Sequence, residues 1–150
     1  MDATSKSSLT FGSFHQFDTT SLHTLYTEIT QELGDIEQVF SEYSEDPDTD
    51  NSIEPSILRL TQTADAFKFI GCHGATELTY ALRDTIAYFH QSESTREDSI
   101  LNFSEGIMLL QRYIDFVLTQ CALAPQYLLE ITNKLRRPIG QPPLLSLIHI

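Results

Sequence analysis

Apolar residues recur every three or four positions along most of this chain, the spacing that places side chains on one face of an α-helix. The first series spans about six turns. Its members are Leu22, Leu25, Ile29, Leu33, Ile36, Phe40 and Tyr43. The second series follows Pro55, which suits the first turn of a helix, and consists of Ile57, Leu60, Ala64, Phe67 and Ile70. The acidic segment 45–52 separates these two predicted helices.

The same spacing continues to position 135 and predicts three more helices. The third series is Ala75, Leu78, Leu82, Ile86 and Phe89, and the fourth is Ile100, Phe103, Ile107, Leu110, Ile114, Val117 and Cys121. A short fifth series after Pro125 is Leu128, Ile131 and Leu135. Since no segment alternates with a period of two, we expect an all-α, antiparallel four-helix bundle with an additional short C-terminal helix. Its predicted core includes Leu60, Phe67, Leu82, Ile107, Ile114 and Leu128.

The two ends of the chain lack this periodicity. Residues 1–18 are rich in Ser, Thr, Gly and Phe and are interpreted as a loose leader, followed by the bundle at 19–137. Residues 138–150 form a proline-rich exit and an apolar tail, SLIHI. This tail either packs back on the bundle or indicates that the chain is cut from a longer protein, and we favour the second interpretation.

The charge narrows the range of partners. The chain has 21 acidic and 9 basic residues and a formal net charge of -12. Such a surface repels a phosphate backbone and an anionic bilayer, so we expect neither nucleic acid nor membrane insertion. Two cysteines, the absence of a signal-peptide pattern and the absence of a run of ~20 apolar residues together favour a cytoplasmic protein.

Two segments contain residue types found in metal or catalytic sites. Cys72 and His73 are adjacent, but neighbouring helical residues point about 100° apart, and the other histidines show no paired ligand spacing. We therefore interpret them as a small buried thiol and a turn histidine.

The second segment resembles a calcium loop, with aspartates at positions 46, 48 and 50. However, Asn51 stands where the loop requires glycine, and Ile57 stands where it requires a bidentate glutamate. We expect a solvated acidic loop and no metal or cofactor.

The second helix presents an unusual outer face. On a helical projection Leu58, Thr61, Gln62, Asp65, Lys68 and Phe69 lie opposite the core, and the two ends of this face are apolar. Two interpretations remain open. A neighbouring helix or the leader covers Leu58 and Phe69, or the face is a partner-binding stripe.

The second and third helices together resemble the histidine phosphotransfer (HPt) domains of two-component signalling. The HPt motif is H-x-x-K-G, with a further glycine ten residues after the histidine. Aligning Gly71 with that glycine places Thr61 at the phosphoacceptor, Ala64 at the lysine and Asp65 at the motif glycine. His73 lies two residues beyond the motif, so it is not the phosphoacceptor.

A more specific resemblance covers about residues 20–145. TADAFKFIGCHGATELTYALRD and LLQRYIDFVLTQCALAPQYLLEITNKLRRPIGQPPLL are similar to segments of the N-terminal HPt-like domains of FimL and ChpA, regulators of type IV pilus twitching motility. The corresponding positions are Arg112, Tyr113, Pro125, Leu128, Leu129, Ile131, Asn133, Leu135, Arg136, Gly140, Gln141 and Leu144. The sequence departs from the family at SLIHI, where the family continues with a polar, acidic stretch.

The resemblance implies a non-catalytic pseudo-HPt scaffold domain of a signalling regulator. The implied partners are the polar hub protein FimV and the response regulator PilG, and the implied location is the cytoplasm at the cell pole. The absence of a phosphoacceptor histidine and the methionine at position 1 favour the FimL type, and the ChpA type also fits. Phosphotransfer through Thr61 and homodimerisation through the stripe remain alternatives.

The residues themselves argue against phosphotransfer. A threonine alcohol forms a stable phosphate ester, whereas the relay needs the high-energy phosphoramidate of histidine. Asp65, one turn further on, repels an incoming phosphate, and Lys68 compensates only in part. We therefore predict a domain that binds proteins and is not an enzyme.

Overall fold

The structure is a computed structural model that describes residues 19–46, 53–92, 97–120 and 128–145. Five α-helices occupy most of these residues: α1 Thr19–Glu45, α2 Ile53–Phe69, α3 His73–Ser92, α4 Glu97–Gln120 and α5 Leu129–Arg136. A short 3-10 helix, Arg137–Ile139, follows α5. The described residues contain no β-strand. The predicted bundle of four main helices with a short C-terminal helix is confirmed.

Apolar residues from all five helices meet in one core, although Leu25 of the first series is 36% exposed. The α2 helix packs most extensively against α3, while α4 packs against α1, α3 and α5. The rings of Phe40 on α1 and Phe103 on α4 pack against each other, tilted by 54° with their centroids 4.7 Å apart. The six residues predicted to share a core are all buried in it, and that prediction is confirmed: Leu60, Phe67, Leu82, Ile107, Ile114 and Leu128.

The turn between α2 and α3 is a Schellman motif centred on Gly71. Gly71 has a φ of 83°, a left-handed conformation that glycine adopts without steric cost. The backbone N–H of Gly71 donates to Lys68, and the N–H of Cys72 donates to Phe67. These are the two hydrogen bonds that define the motif. The turn therefore ends α2 at Phe69 and directs the chain into α3 within three residues.

The segment after α5 is held against the bundle by side-chain hydrogen bonds. The amide of Asn133 donates to the carbonyl of Leu144 at 2.9 Å and accepts from its N–H at 2.7 Å. Gln141 donates to Asp84 of α3 at 2.8 Å. Gln141 and Leu144 are thus held against the bundle, while Leu145 is 93% exposed. The prediction that the chain is cut from a longer protein stays a prediction.

Among the residues that the structure describes, no helix is both long enough and apolar enough to cross a bilayer. The leader, residues 1–18, and the end of the tail, residues 146–150, lie outside the described residues.

Candidate functional site

The α2 helix has two faces that differ sharply in exposure. On the inner face Leu60, Ala64 and Phe67 are buried, and Ile57 is partly buried against the core. On the outer face the side chain of Leu58 is 58% exposed and that of Phe69 is 84% exposed. In the described part of the chain, therefore, no neighbouring helix covers these two apolar residues.

We call the outer face the α2 stripe and define it as Leu58, Thr61, Gln62, Asp65, Lys68 and Phe69. Gln62, Asp65 and Lys68 are exposed like the two apolar ends, whereas Thr61 is half-buried. At 1.5 Å of rise per residue, Leu58 and Phe69 lie about 16 Å apart along the helix. The structure brings the predicted site residues onto one surface. Whether that surface binds a partner stays a prediction.

A connected row of side chains on α3 contacts the middle of the α2 stripe. The hydroxyl of Tyr80, on α3, donates to Oδ1 of Asp65 at 2.6 Å. This bond to the Asp65 carboxylate raises the pKa of Tyr80. The guanidinium of Arg83 lies 4.6 Å from the centroid of the Tyr80 ring and contacts Asp84 at 2.9 Å. Because Asp84 also accepts from Gln141, the row connects the stripe to the C-terminal segment.

The structure shows the surroundings of Thr61, the residue that the resemblance aligns with the phosphoacceptor. Its hydroxyl donates to the carbonyl of Ile57, one turn earlier, at 3.0 Å. Ala64, which the resemblance aligns with the motif lysine, is fully buried and faces the core. Lys68 is exposed but lies two turns away, about 10 Å along the helix axis. No cation is thus placed next to Thr61 by either position.

Cys72 and His73 do not form a site in the structure. Cys72 is buried, and desolvation raises the pKa of its thiol to about 12, so that it stays protonated and unreactive at neutral pH. His73 is exposed and is the first residue of α3 rather than part of the turn. The described residues contain no group of three or more His, Cys, Asp or Glu side chains arranged to hold a metal ion.

The calcium-like segment falls largely on residues 47–52, which lie outside the described residues. Of its later positions, Ile53 is the first residue of α2 and is fully buried. Ile57, at the position where a calcium loop needs its closing glutamate, packs against the core. An apolar side chain facing the core supplies no oxygen ligand at this position. The expectation of a solvated acidic loop concerns residues outside the described ones and stays a prediction.

Two features escaped the sequence analysis. The contact between Tyr80 and Asp65 depends on how α2 and α3 are aligned, which the turn at Gly71 determines. The second feature is a row of exposed apolar residues on α4, consisting of Leu101, Met108 and Phe116. Its spacing is visible in the sequence as apolar residues that do not belong to the core series of the fourth helix.

Comparisons with protein-family models, curated proteins and solved structures found no match to this chain. The candidate function therefore depends on the geometry of the α2 stripe and on the resemblance of the sequence segments described above.

Proposed function

We propose that this chain is a non-catalytic, pseudo-HPt protein-interaction domain that binds its partner through the α2 stripe. The observation that carries the proposal is the exposure of Phe69, at 84%, two residues after Phe67, which is 3% exposed and lies in the core. An exposed aromatic side chain beside ordered polar groups is typical of a residue that anchors a protein interface.

The polar middle of the stripe supports the same function. Asp65 is held by Tyr80, so its carboxylate is already oriented before a partner arrives. Preorganised polar groups lose less conformational entropy on binding and fix the orientation of the partner. Leu58 and Phe69 then supply the apolar area at the two ends, while Gln62 and Asp65 define the register.

The resemblance supplies the biological setting of the proposal. We place the domain in a regulator of type IV pilus twitching motility, in the cytoplasm at the cell pole. The partner proteins proposed for the stripe are the response regulator PilG and the polar hub FimV. In this setting the domain is a scaffold that has kept the docking helix of an HPt domain and has no phosphoacceptor histidine.

The test is a titration of purified PilG and of purified FimV against the chain and its Phe69→Ala variant. We expect at least one of the two proteins to bind, and the variant to bind it at least tenfold more weakly. Tyr88→Ala is the matched control because Tyr88 is an exposed aromatic residue on α3, outside the stripe. Binding that is equally strong in the Phe69→Ala variant contradicts the proposal.

Phosphotransfer through Thr61 is the alternative function. A labelling experiment distinguishes it from the scaffold function. A kinase that phosphorylates histidine domains of this class, supplied with radiolabelled ATP, should leave the chain unlabelled. Stable label that is lost in the Thr61→Ala variant would favour the relay function over the scaffold.

A further inference from the structure

The outer face of α4 carries a second row of exposed apolar side chains. Leu101 is 63% exposed, Met108 is 41% exposed and Phe116 is 44% exposed. With Glu105 and Arg112 they follow the spacing i, i+4, i+7, i+11 and i+15, which is one continuous line on a helix. We call these five residues the α4 row. It lies on the side of α4 opposite the buried residues Phe103, Ile107, Leu110 and Ile114.

The α4 row contains one acidic and one basic residue. Glu105 lies 3.7 Å from Lys134 of α5, and both side chains of this ion pair are about two-fifths exposed. Arg112 is exposed, and no carboxylate in the described part of the chain forms an ion pair with it. The row therefore presents a carboxylate and a guanidinium that are both accessible to a partner.

The four outer residues of the row are symmetric about its centre, and Met108 lies next to that centre. Leu101 and Phe116 are equally distant from the midpoint between residues 108 and 109, and so are Glu105 and Arg112. If a second copy of α4 lies antiparallel on this face, Leu101 of each copy faces Phe116 of the other. Glu105 of each copy then faces Arg112 of the other, which gives two identical opposite-charge pairs.

From this symmetry we propose that the α4 row is a two-fold interface at which the chain pairs with a second copy of itself. Two-fold interfaces use the same surface on both copies, so a row that complements its own reverse is what such an interface requires. Apolar residues lie at the centre and at both ends of the row, and the opposite charges set its register.

The net charge of the chain makes the two Glu105–Arg112 pairs important for association of two copies. Each copy carries a formal charge of -12, so two copies repel each other at a distance. Opposite-charge pairs at the contact offset part of this repulsion. One helix pair also buries less surface than a stable dimer interface, for which about 800 Å² per partner is usual. The dimer is therefore weak and depends on concentration.

The experiment is sedimentation velocity of the chain over a concentration range from ~1 μM to ~500 μM, where weak dimers dissociate and form. Glu105→Arg and Arg112→Glu each place like charges at both pairs, and each should raise the dimer dissociation constant at least tenfold. The double variant Glu105→Arg/Arg112→Glu restores opposite charges and should dimerise like the wild type. An equimolar mixture of the two single variants also has opposite charges at both pairs and should form a mixed dimer.

The rescue is specific to this interface, because only an antiparallel pairing in this register places residue 105 opposite residue 112. Tyr88→Ala, which changes an exposed residue on α3, should leave dimerisation unchanged, and circular dichroism should show that every variant is helical. A chain that is monomeric at all concentrations overturns the proposal. A dimer whose dissociation constant is unchanged by both charge reversals also overturns it. A dimer that is lost in the Phe69→Ala variant overturns it as well, because such a dimer pairs through the α2 stripe.

Discussion

The α2 stripe and the α4 row both contain exposed apolar residues along one line of a helix. The polar residues that lie between these apolar residues differ in the two faces. In the α2 stripe, Leu58 and Phe69 flank Gln62 and Asp65, and the Asp65 carboxylate is held by Tyr80 of the same chain. In the α4 row, the polar positions hold one acid and one base at equal distances from the centre. Exposed apolar area alone would assign the two faces the same role.

The polar residues separate the two roles. An antiparallel copy of α2 that places Leu58 against Phe69 would set Gln62 against Asp65 and Lys68 against Arg59, so no opposite-charge pair forms. The same operation on α4 creates two opposite-charge pairs. Because the chain is strongly acidic, this difference decides which face suits a second copy and which suits a different protein. We therefore infer that α2 binds another protein and α4 binds its own copy.

The largest expected effect is on the free energy of unfolding, which should respond differently to changes at the two phenylalanines near the end of α2. Phe67 is 3% exposed and lies in the core, so Phe67→Ala should lower the free energy of unfolding by about 3–5 kcal/mol. Phe69→Ala removes an exposed ring and should change it by less than about 0.5 kcal/mol. Urea unfolding followed by circular dichroism measures both values. A large loss of stability in Phe69→Ala would mean that Phe69 supports the fold and is not a docking residue.

The next prediction compares the removal of one exposed leucine from the α2 stripe with the removal of one from the α4 row. Leu58→Ala should weaken binding of the partner protein at least fivefold and change the dimer dissociation constant less than twofold. Leu101→Ala should do the reverse, because Leu101 lies on the α4 row. Both leucines are about equally exposed, at 58% and 63%, so the two variants remove similar apolar area. If both variants weaken the same association, the faces do not have separate partners.

A smaller effect is expected at the turn that ends α2 beside Phe69. Gly71 has a positive φ, so Gly71→Ala should cost about 1–2 kcal/mol of stability. Gly34 lies inside α1, where an added Cβ meets no atom within 4 Å, so Gly34→Ala should raise stability by about 0.5–1 kcal/mol. Thermal unfolding of the two variants should show opposite signs. Two shifts of the same sign would contradict the role of Gly71 in ending α2.

The smallest effect concerns Tyr80 and the pH dependence of the polar middle of the stripe. The pKa of Tyr80 is raised above its ordinary value of 10.0, chiefly by its hydrogen bond to Asp65. The stabilisation from this bond is therefore fully present below pH 10 and is lost as the pH rises through the raised pKa. Tyr80→Phe should show a shallower alkaline loss of stability than the wild type in unfolding experiments. Identical alkaline profiles would show that the bond does not contribute in solution.

The elements of this fold were predictable because helix periodicity is a local signal. The spacing of apolar residues from Leu22 to Leu135 predicted five helices and their shared core. A helical projection of α2 from the sequence alone also placed Leu58 and Phe69 on its outer face. The contact between Asp65 and Tyr80 was not predictable, since it depends on how far α3 is displaced along α2. That displacement is fixed by two backbone hydrogen bonds at Gly71 and Cys72, which no residue pattern encodes directly.

The α4 row shows a different limit of sequence reasoning. Leu101 and Met108 lie outside the core series of the fourth helix in the sequence, but in a strongly apolar helix the sequence does not show whether a neighbouring helix covers that side. The burial of Phe103 and Ile107 supplies that information, because it fixes the rotation of α4 in the bundle. Only then does the symmetric placement of Glu105 and Arg112 on the opposite side become apparent.

The central claim is that the α2 stripe binds a protein and performs no phosphoryl chemistry, and one titration tests it most directly. The affinity of a purified proposed partner, PilG or FimV, is measured by calorimetry for the wild type, Phe69→Ala and Thr61→Ala. We predict that Phe69→Ala weakens binding at least tenfold, about 1.4 kcal/mol, while Thr61→Ala changes it less than twofold. The reverse order, with Phe69→Ala tolerated and Thr61→Ala disruptive, would contradict the account.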